Sequence, residues 1–161
     1  MKSKFLAFIA LVAATLSLSS CLSSDETVVE YTNDTAITSF SLGKLGRYTK
    51  TTAGKDTLIA DKVNGANYKF YIDQVNRQIY NVDSLPTKTR TAAVLATISS
   101  KNSSPIFIMH KDYPEKIDSA KYYSSTDSID FSQPRQVRVY NNSLNAYVTY
   151  TVKVNVHQQE G

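Results

Sequence analysis

Ala146-Tyr147-Val148-Thr149-Tyr150-Thr151-Val152-Lys153-Val154-Asn155-Val156 is the stretch that decides the fold. Ala146, Val148, Tyr150, Val152, Val154 and Val156 fall on one side of a period-2 pattern. Tyr147, Thr149, Thr151, Lys153 and Asn155 fall on the other. Successive side chains of a strand point to opposite faces, so the segment reads as a strand with one buried side. The unbroken apolar side predicts a central place in a sheet. Asn141 to Asn145 supplies turn residues, and before them Val137 and Val139 alternate with Arg138 and Tyr140. The end of the chain therefore reads as a β-hairpin.

The same period recurs upstream. Ala36, Thr38, Phe40 and Leu42 share one side of a first strand. Tyr68, Phe70 and Ile72 alternate with Lys69, Tyr71 and Asp73, and Val94, Ala96 and Ile98 with Leu95, Thr97 and Ser99. Ile79 to Val82 and Ile106 to Met109 are shorter runs, and Ile129 and Phe131 read as buried. Leu85-Pro86 closes the run at Ile79, because proline cannot donate to a ladder. Gly43 to Lys62 is basic and Thr-rich, a hairpin or an insertion, followed by the turn signal Asn64-Gly65. Ser99 to Ser104 is a polar loop, and His110 to Ser125 a long connection with room for one strand. With no 3.6-residue period after the leader, the expectation is all-β, an antiparallel β-sandwich. Glycine is scarce, at 5 residues, so turns must rest on Asn, Asp, Ser and Pro.

The N-terminus has a different character. Lys2 and Lys4 precede an apolar run from Phe5 to Leu18, the layout of an export signal. The run is shorter than the ~20 residues a membrane-spanning helix needs. It ends in Leu18-Ser19-Ser20-Cys21, which resembles a bacterial lipobox and holds the chain's only cysteine. The resemblance implies cleavage after Ser20 and acylation of Cys21. Several acyl chains on one residue would hold firmly where one holds only marginally. Leu22-Ser23-Ser24-Asp25-Glu26 resembles the acidic signal that sends such lipoproteins to the outer face of the outer membrane. A plain polar tether is the other reading of the same residues. The expected organisation is a signal peptide over 1–20, lipidated Cys21 with a flexible tether over 21–34, a sandwich over 35–158 and a tail over 159–161. Extended, the tether could lift the domain by about 40 Å. Val28, Val29 and Tyr31 could instead dock as an edge strand.

Composition narrows the function. Removal of the first 20 of 161 residues would leave 141, enough for one domain with a real core. The 18 basic residues fall to 16 against 14 acidic ones, a net charge of +2. No basic cluster stands out, so nucleic acid is not an expected partner. With Cys21 acylated, no disulfide could form within the chain.

Several fragments together point to a family. They are Ile37-Thr38-Ser39-Phe40-Ser41-Leu42, Ile72-Asp73-Gln74-Val75 with Ile79-Tyr80-Asn81, and Asp83-Ser84-Leu85-Pro86. Thr126-Asp127-Ser128-Ile129-Asp130-Phe131-Ser132 follows, and Tyr150-Thr151-Val152-Lys153-Val154-Asn155-Val156-His157-Gln158-Gln159 ends the set. The chain resembles the N-terminal immunoglobulin-like domain of Bacteroidota lipoproteins grouped as the family of unknown function 6242. The resemblance covers nearly the whole mature chain. It implies an immunoglobulin-like sandwich and carries no biochemical role. In that family a β-propeller-like region follows the His-Gln-Gln segment. This sequence stops at Gly161, by truncation or by divergence, so no propeller activity transfers.

A second resemblance concerns modification. The triplets beginning at Asp34, Asp56, Asp83, Asp118 and Asp127 match the Asp-Ser/Thr-apolar sequon for O-glycosylation in these bacteria. They make Thr35, Thr57, Ser84, Ser119 and Ser128 candidate glycan acceptors. Turn chemistry explains the same triplets without modification.

Catalytic constellations are not apparent. His110 and His157 are the only histidines, and neither has a metal-ligand spacing to another His or Cys. Asp127, Ser128 and Asp130 read as a turn in preference to a calcium site, for want of an EF-hand-like loop. No nucleophile elbow or phosphate-binding glycine loop occurs, and no cofactor is expected. Tyrosine is abundant, at 11 residues with no Trp. Tyr48, Tyr71, Tyr113, Tyr122, Tyr123, Tyr140 and Tyr147 are the expected exposed ones. Rings can stack on sugar faces or anchor an interface, though tyrosine also simply suits a half-exposed pleated surface. Tyr122 and Tyr123 are the candidate ligand-facing pair. The expectation is a non-enzymatic spacer or protein-interaction domain, tethered to the membrane, with a surface protein or a downstream propeller as partner. The alternatives are a carbohydrate-binding module for glycan capture and, more distantly, a pilin-like subunit.

Overall fold

The computed structural model describes residues 35–158. The leader, Cys21, the tether with its Val28-Val29-Tyr31 segment, and the tail lie outside the described residues. Ten strands fill the described chain: β1 (Ile37–Leu42), β2 (Lys44–Lys50), β3 (Asp56–Asn64), β4 (Phe70–Asp73), β5 (Gln78–Asn81), β6 (Ala96–Ser100), β7 (Ile106–Ile108), β8 (Lys121–Tyr122), β9 (Arg135–Tyr140) and β10 (Tyr147–Lys153). The main sheet has six strands in the order β4-β5-β10-β9-β7-β8. The β1–β6 pair packs over it as the second layer, and β2–β3 forms a separate ribbon. The all-β sandwich expected from the period-2 pattern is the observed architecture.

β10 lies inside the main sheet, as its one-sided pattern requires. Tyr150 and Val152 are fully buried, together with Val137 and Val139 of the neighbouring β9. β9 and β10 form the expected antiparallel hairpin, with Val148 opposite Val139 and Tyr150 opposite Val137. On its other side β10 runs parallel to β5, with Val152 opposite Ile79. The main sheet is therefore mixed: only this pair is parallel, and a long crossover between the two strands makes it so.

The strand also ends earlier than its pattern. Regular pairing stops at Lys153, although Val154 and Val156 still pack against the core. Side-chain amides take over there. Buried Asn81 donates to the carbonyls of Asp83 and Asn155 (both 2.9 Å), and its Oδ1 accepts from the Asn155 N–H (2.7 Å). The Asn155 amide donates back to the Asn81 carbonyl (3.2 Å). The backbone of Leu85 then bonds to Asn155 and His157 (2.9 and 2.8 Å). A buried amide with every group paired can replace a stretch of ladder.

β1 departs from the expected alternation. Ile37, not Thr38, shares the buried side with Phe40 and Leu42. The register to β6 shifts between Ile37 and Ser39, so two residues face one at that point. Such a bulge moves the preceding side chain to the other face. At the other end of the β5 run, Val82 lies outside the strand and is exposed.

The layers are joined by rings and by two tyrosine hydroxyls. Phe40 packs on Phe70 and Phe131, with centroids 4.8 and 5.9 Å apart. The Ile37 N–H donates to Tyr150 Oη (3.2 Å), the Tyr150 hydroxyl donates to Gln74 Oε1, and the Gln74 amide donates to the Ile37 carbonyl (2.8 Å). This closed loop ties β10 to β1. At the opposite edge the Ile98 N–H donates to Tyr123 Oη (3.0 Å), and that hydroxyl donates to the Ala96 carbonyl (2.6 Å). The segment after β8 is thereby fixed to β6.

Gly43 to Lys62 resolves as the hairpin reading. β2 and β3 pair from Lys44–Asn64 to Lys50–Asp56. Nearly all of β3 is exposed, so the ribbon is held at its base instead. Arg47 donates to the Thr87 carbonyl and Oγ1 (2.6 and 3.0 Å), and the Arg90 N–H to the Gly46 carbonyl (2.8 Å). The Asn64-Gly65 turn opens a 3-10 turn, with Asn64 capping the Ala66 N–H. Glycine is required at Gly65 because a Cβ there would lie 2.3 Å from the Gly43 carbonyl oxygen.

Candidate functional site

The outward face of the main sheet is built by the residues that alternate with the core positions. On β9, Val137 and Val139 point inward, so Gln136, Arg138 and Tyr140 point out. The register sets Phe107 between Tyr122 and Arg138, Thr149 opposite Arg138, and Tyr147 opposite Tyr140. Tyr122–Phe107 and Phe107–Tyr140 meet edge to face at 5.3 and 5.6 Å, and Tyr140–Tyr147 are tilted at 5.1 Å between centroids. A second pair, Tyr71 and Tyr80 (5.6 Å), sits towards the β4 edge. Tyr122 is 63% exposed, Tyr71 53% and Tyr147 46%. The face is thus an aromatic surface open to solvent, set on a rigid sheet.

Arg138 lies within it, only 8% exposed. Its guanidinium carbon sits 4.1 Å from the centroid of Tyr147, a cation–π distance. Its Nη1 donates to Tyr140 Oη at 3.4 Å, and its Nε is buried without a hydrogen-bond partner. The ion pairs among the described residues are Lys50–Asp56, Lys111–Asp130 and Lys121–Asp127, so Arg138 has no carboxylate partner there.

Beside this face, at the β8 edge, is a cleft of about 290 Å³. Tyr122, Tyr123, His110, Ser128 and Arg135 line it, with the Lys111–Asp130 and Lys121–Asp127 pairs on its walls. The tyrosine pair singled out in the sequence therefore borders the cleft, but the two residues differ. Tyr122 is free to meet a ligand, whereas the Tyr123 hydroxyl is already engaged with β6. Arg135 donates to the carbonyls of Met109 (2.8 Å) and Asp130 (3.1 Å). Burial lowers its pKa, against the raising effect of Asp130 and Asp112. Burial pushes the Asp130 carboxyl up, but bonds from Ser132 and Lys111 outweigh it and leave the pKa below the usual aspartate value. Asp127 and Asp130 are thus occupied by lysines and by a turn.

Neither histidine joins a cluster. His110 Nδ1 accepts from the Asp112 N–H (3.1 Å), and its ring stacks on Tyr113. His157 is exposed, and its backbone pairs with Leu85. Among the described residues no group of three or more His, Cys, Asp or Glu could hold a metal ion.

The candidate acceptors are spread over the surface. Thr57, Ser84, Ser119 and Ser128 are exposed, and Ser128 stands at the cleft. Thr35 is buried with its hydroxyl unpartnered, so modification there would have to precede folding. Of the expected exposed tyrosines, Tyr123 and Tyr140 are half-buried. Sequence reasoning missed Arg138 and Phe107. Arg138 between two valines did signal an outward cation. The Tyr147 ring over it comes from β10, and only the strand register reveals that.

Fold and surface together define an all-β sandwich domain that displays an aromatic sheet face. The chain belongs to the family described as domain of unknown function (DUF6242), N-terminal domain, whose model matches residues 40–154. No curated protein and no solved structure matches the chain significantly.

Proposed function

We propose that this chain is a non-catalytic lipoprotein domain that spaces or docks a protein partner at the outer membrane. Acylated Cys21 would hold it, facing the cell exterior. The observation that carries the reading is the outward face of the main sheet. Tyr71, Tyr122 and Tyr147 stand exposed on one rigid surface whose inner side is a packed core. Tyrosine and arginine on such a face are what interface centres are enriched in. A downstream β-propeller module or another surface protein would be its partner.

A photo-crosslinking residue placed at Tyr147, and separately at Ile59 on the β2–β3 ribbon, tests this in intact cells. A discrete adduct from position 147 and none from 59 is the expected result. Equal labelling from both positions would contradict it. The mass of the envelope-extracted chain tests the anchor. It should begin at an acylated Cys21, and a bare thiol with the leader retained would remove the anchoring part of the proposal.

A second reading, glycan capture, is favoured by the open cleft beside Tyr122, where a ring and several polar side chains converge. Direct titration with oligosaccharides tests it. Binding that falls in Tyr122→Ala would support it, and absence of any binding would reject it.

A further inference from the structure

We propose that Arg138 and the rings around it form a site for an acidic glycan, with a uronate carboxylate seated on the guanidinium and a pyranose face on the tyrosines. The inference rests on the glycan-capture reading for its class of ligand, and extends the binding surface from the cleft across Tyr122 onto the adjoining sheet face.

Three observations converge on it. Arg138 is more than nine-tenths buried, its Nε lacks a partner, and no carboxylate pairs with it among the described residues. A buried cation without a counter-charge is costly, and an arriving carboxylate would supply one through charge-assisted bonds to the planar fork. Shielding by the Tyr147 ring makes that carboxylate count for more than it would beside a hydrated lysine.

The second observation is the ring row. Tyr122, Phe107, Tyr140 and Tyr147 follow one another across β8, β7, β9 and β10. Aromatic faces carry negative charge density and attract the weakly positive C–H face of a sugar. The third is the polar lining. Thr149 lies opposite Arg138, and Thr151 lies opposite Gln136, two positions along the same face. These groups can exchange hydrogen bonds with sugar hydroxyls. One uncompensated cation among several rings fits one uronate unit held by its carboxylate, with the C–H faces of the neighbouring sugars on the rings. An acidic peptide would call for a cluster of cations, which the row does not have.

The test uses hexagalacturonate and its carboxyl-reduced counterpart, titrated into the soluble mature chain. The expected result is binding of the uronate, weakened about tenfold or more for the reduced sugar and for Arg138→Gln. The Nε–H NMR signal of Arg138 should move during the titration. Equal binding of both sugars, insensitive to Arg138→Gln, would overturn the site while leaving glycan capture standing. Binding of neither sugar would overturn the site, and failure of every oligosaccharide in the wider titration would overturn glycan capture with it. Binding of polyglutamate through the same residues, with the uronate inert, would assign the face to an acidic protein segment and overturn the proposal. If Arg138→Gln does not fold, Tyr147→Ser and Tyr122→Ser decide: lost uronate binding in both supports the site, and unchanged binding overturns it.

Discussion

Tyr150 shows how much one hydroxyl can hold. It accepts from Ile37 and donates to Gln74, so Tyr150→Phe leaves the buried Ile37 N–H without its partner and removes the bond to the Gln74 side chain. A loss of about 1–3 kcal/mol in urea unfolding is expected, and a change near zero would contradict the closed loop. Burial raises the Tyr150 pKa, opposed by the Ile37 bond and by Arg77. A raised folded-state pKa favours the neutral form. Its contribution is therefore complete below the ordinary tyrosine value of about 10 and declines as pH rises past it towards the folded-state pKa. Tyr150→Phe should accordingly flatten the alkaline limb of the stability profile. Arg138 gives the opposite test. Its charge is buried without a carboxylate, so Arg138→Met should be neutral or stabilise by about 1 kcal/mol. A clear loss would mean that the guanidinium is structural. At this scale the sequence was only half legible. The period-2 pattern places Tyr150 inward and Arg138 outward, but Gln74 reaches Ile37 from 37 residues away, and no local pattern encodes that contact.

At the scale of elements, strand existence followed from alternation, while strand ends and faces depended on irregularities. The β1 bulge turned Ile37 inward, and Ser and Thr around it gave no apolar contrast from which to see the shift. β10 lost its ladder at Lys153 because Asn81 and Asn155 pair through side chains, although the valine pattern runs on to Val156. β8 is two residues long, below what any periodicity can show. Two glycines separate close approach from mere proximity. At Gly65 the new methyl would meet the Gly43 carbonyl oxygen at 2.3 Å and the Leu42 Cβ at 2.7 Å. At Gly46 its closest neighbour is the mobile tip of Leu58, at 2.8 Å. Thermal unfolding should show Gly65→Ala destabilised by about 1–3 kcal/mol and Gly46→Ala by clearly less. The reverse order would contradict the packing of the 3-10 turn on β1.

For the whole molecule, the sandwich and its central strand were readable because core burial imposes a period on every strand that shares it. The working surface was less so. Tyr122 stood out in the sequence, yet the row it belongs to gathers β7, β8, β9 and β10 from positions 107 to 147, and only strand order brings them together. The same ordering divides the exposed tyrosines. Tyr71, Tyr122 and Tyr147 lie on the outward sheet face, whereas Tyr48 belongs to the ribbon and Tyr113 to the connection before β8. Hydroxyl-radical footprinting of these five side chains, on intact cells and on the purified chain, tests most directly whether that face is the one in use. Tyr71, Tyr122 and Tyr147 should become protected on cells while Tyr48 and Tyr113 react as they do in solution. Protection of Tyr48 and Tyr113 with the sheet face left reactive would contradict it.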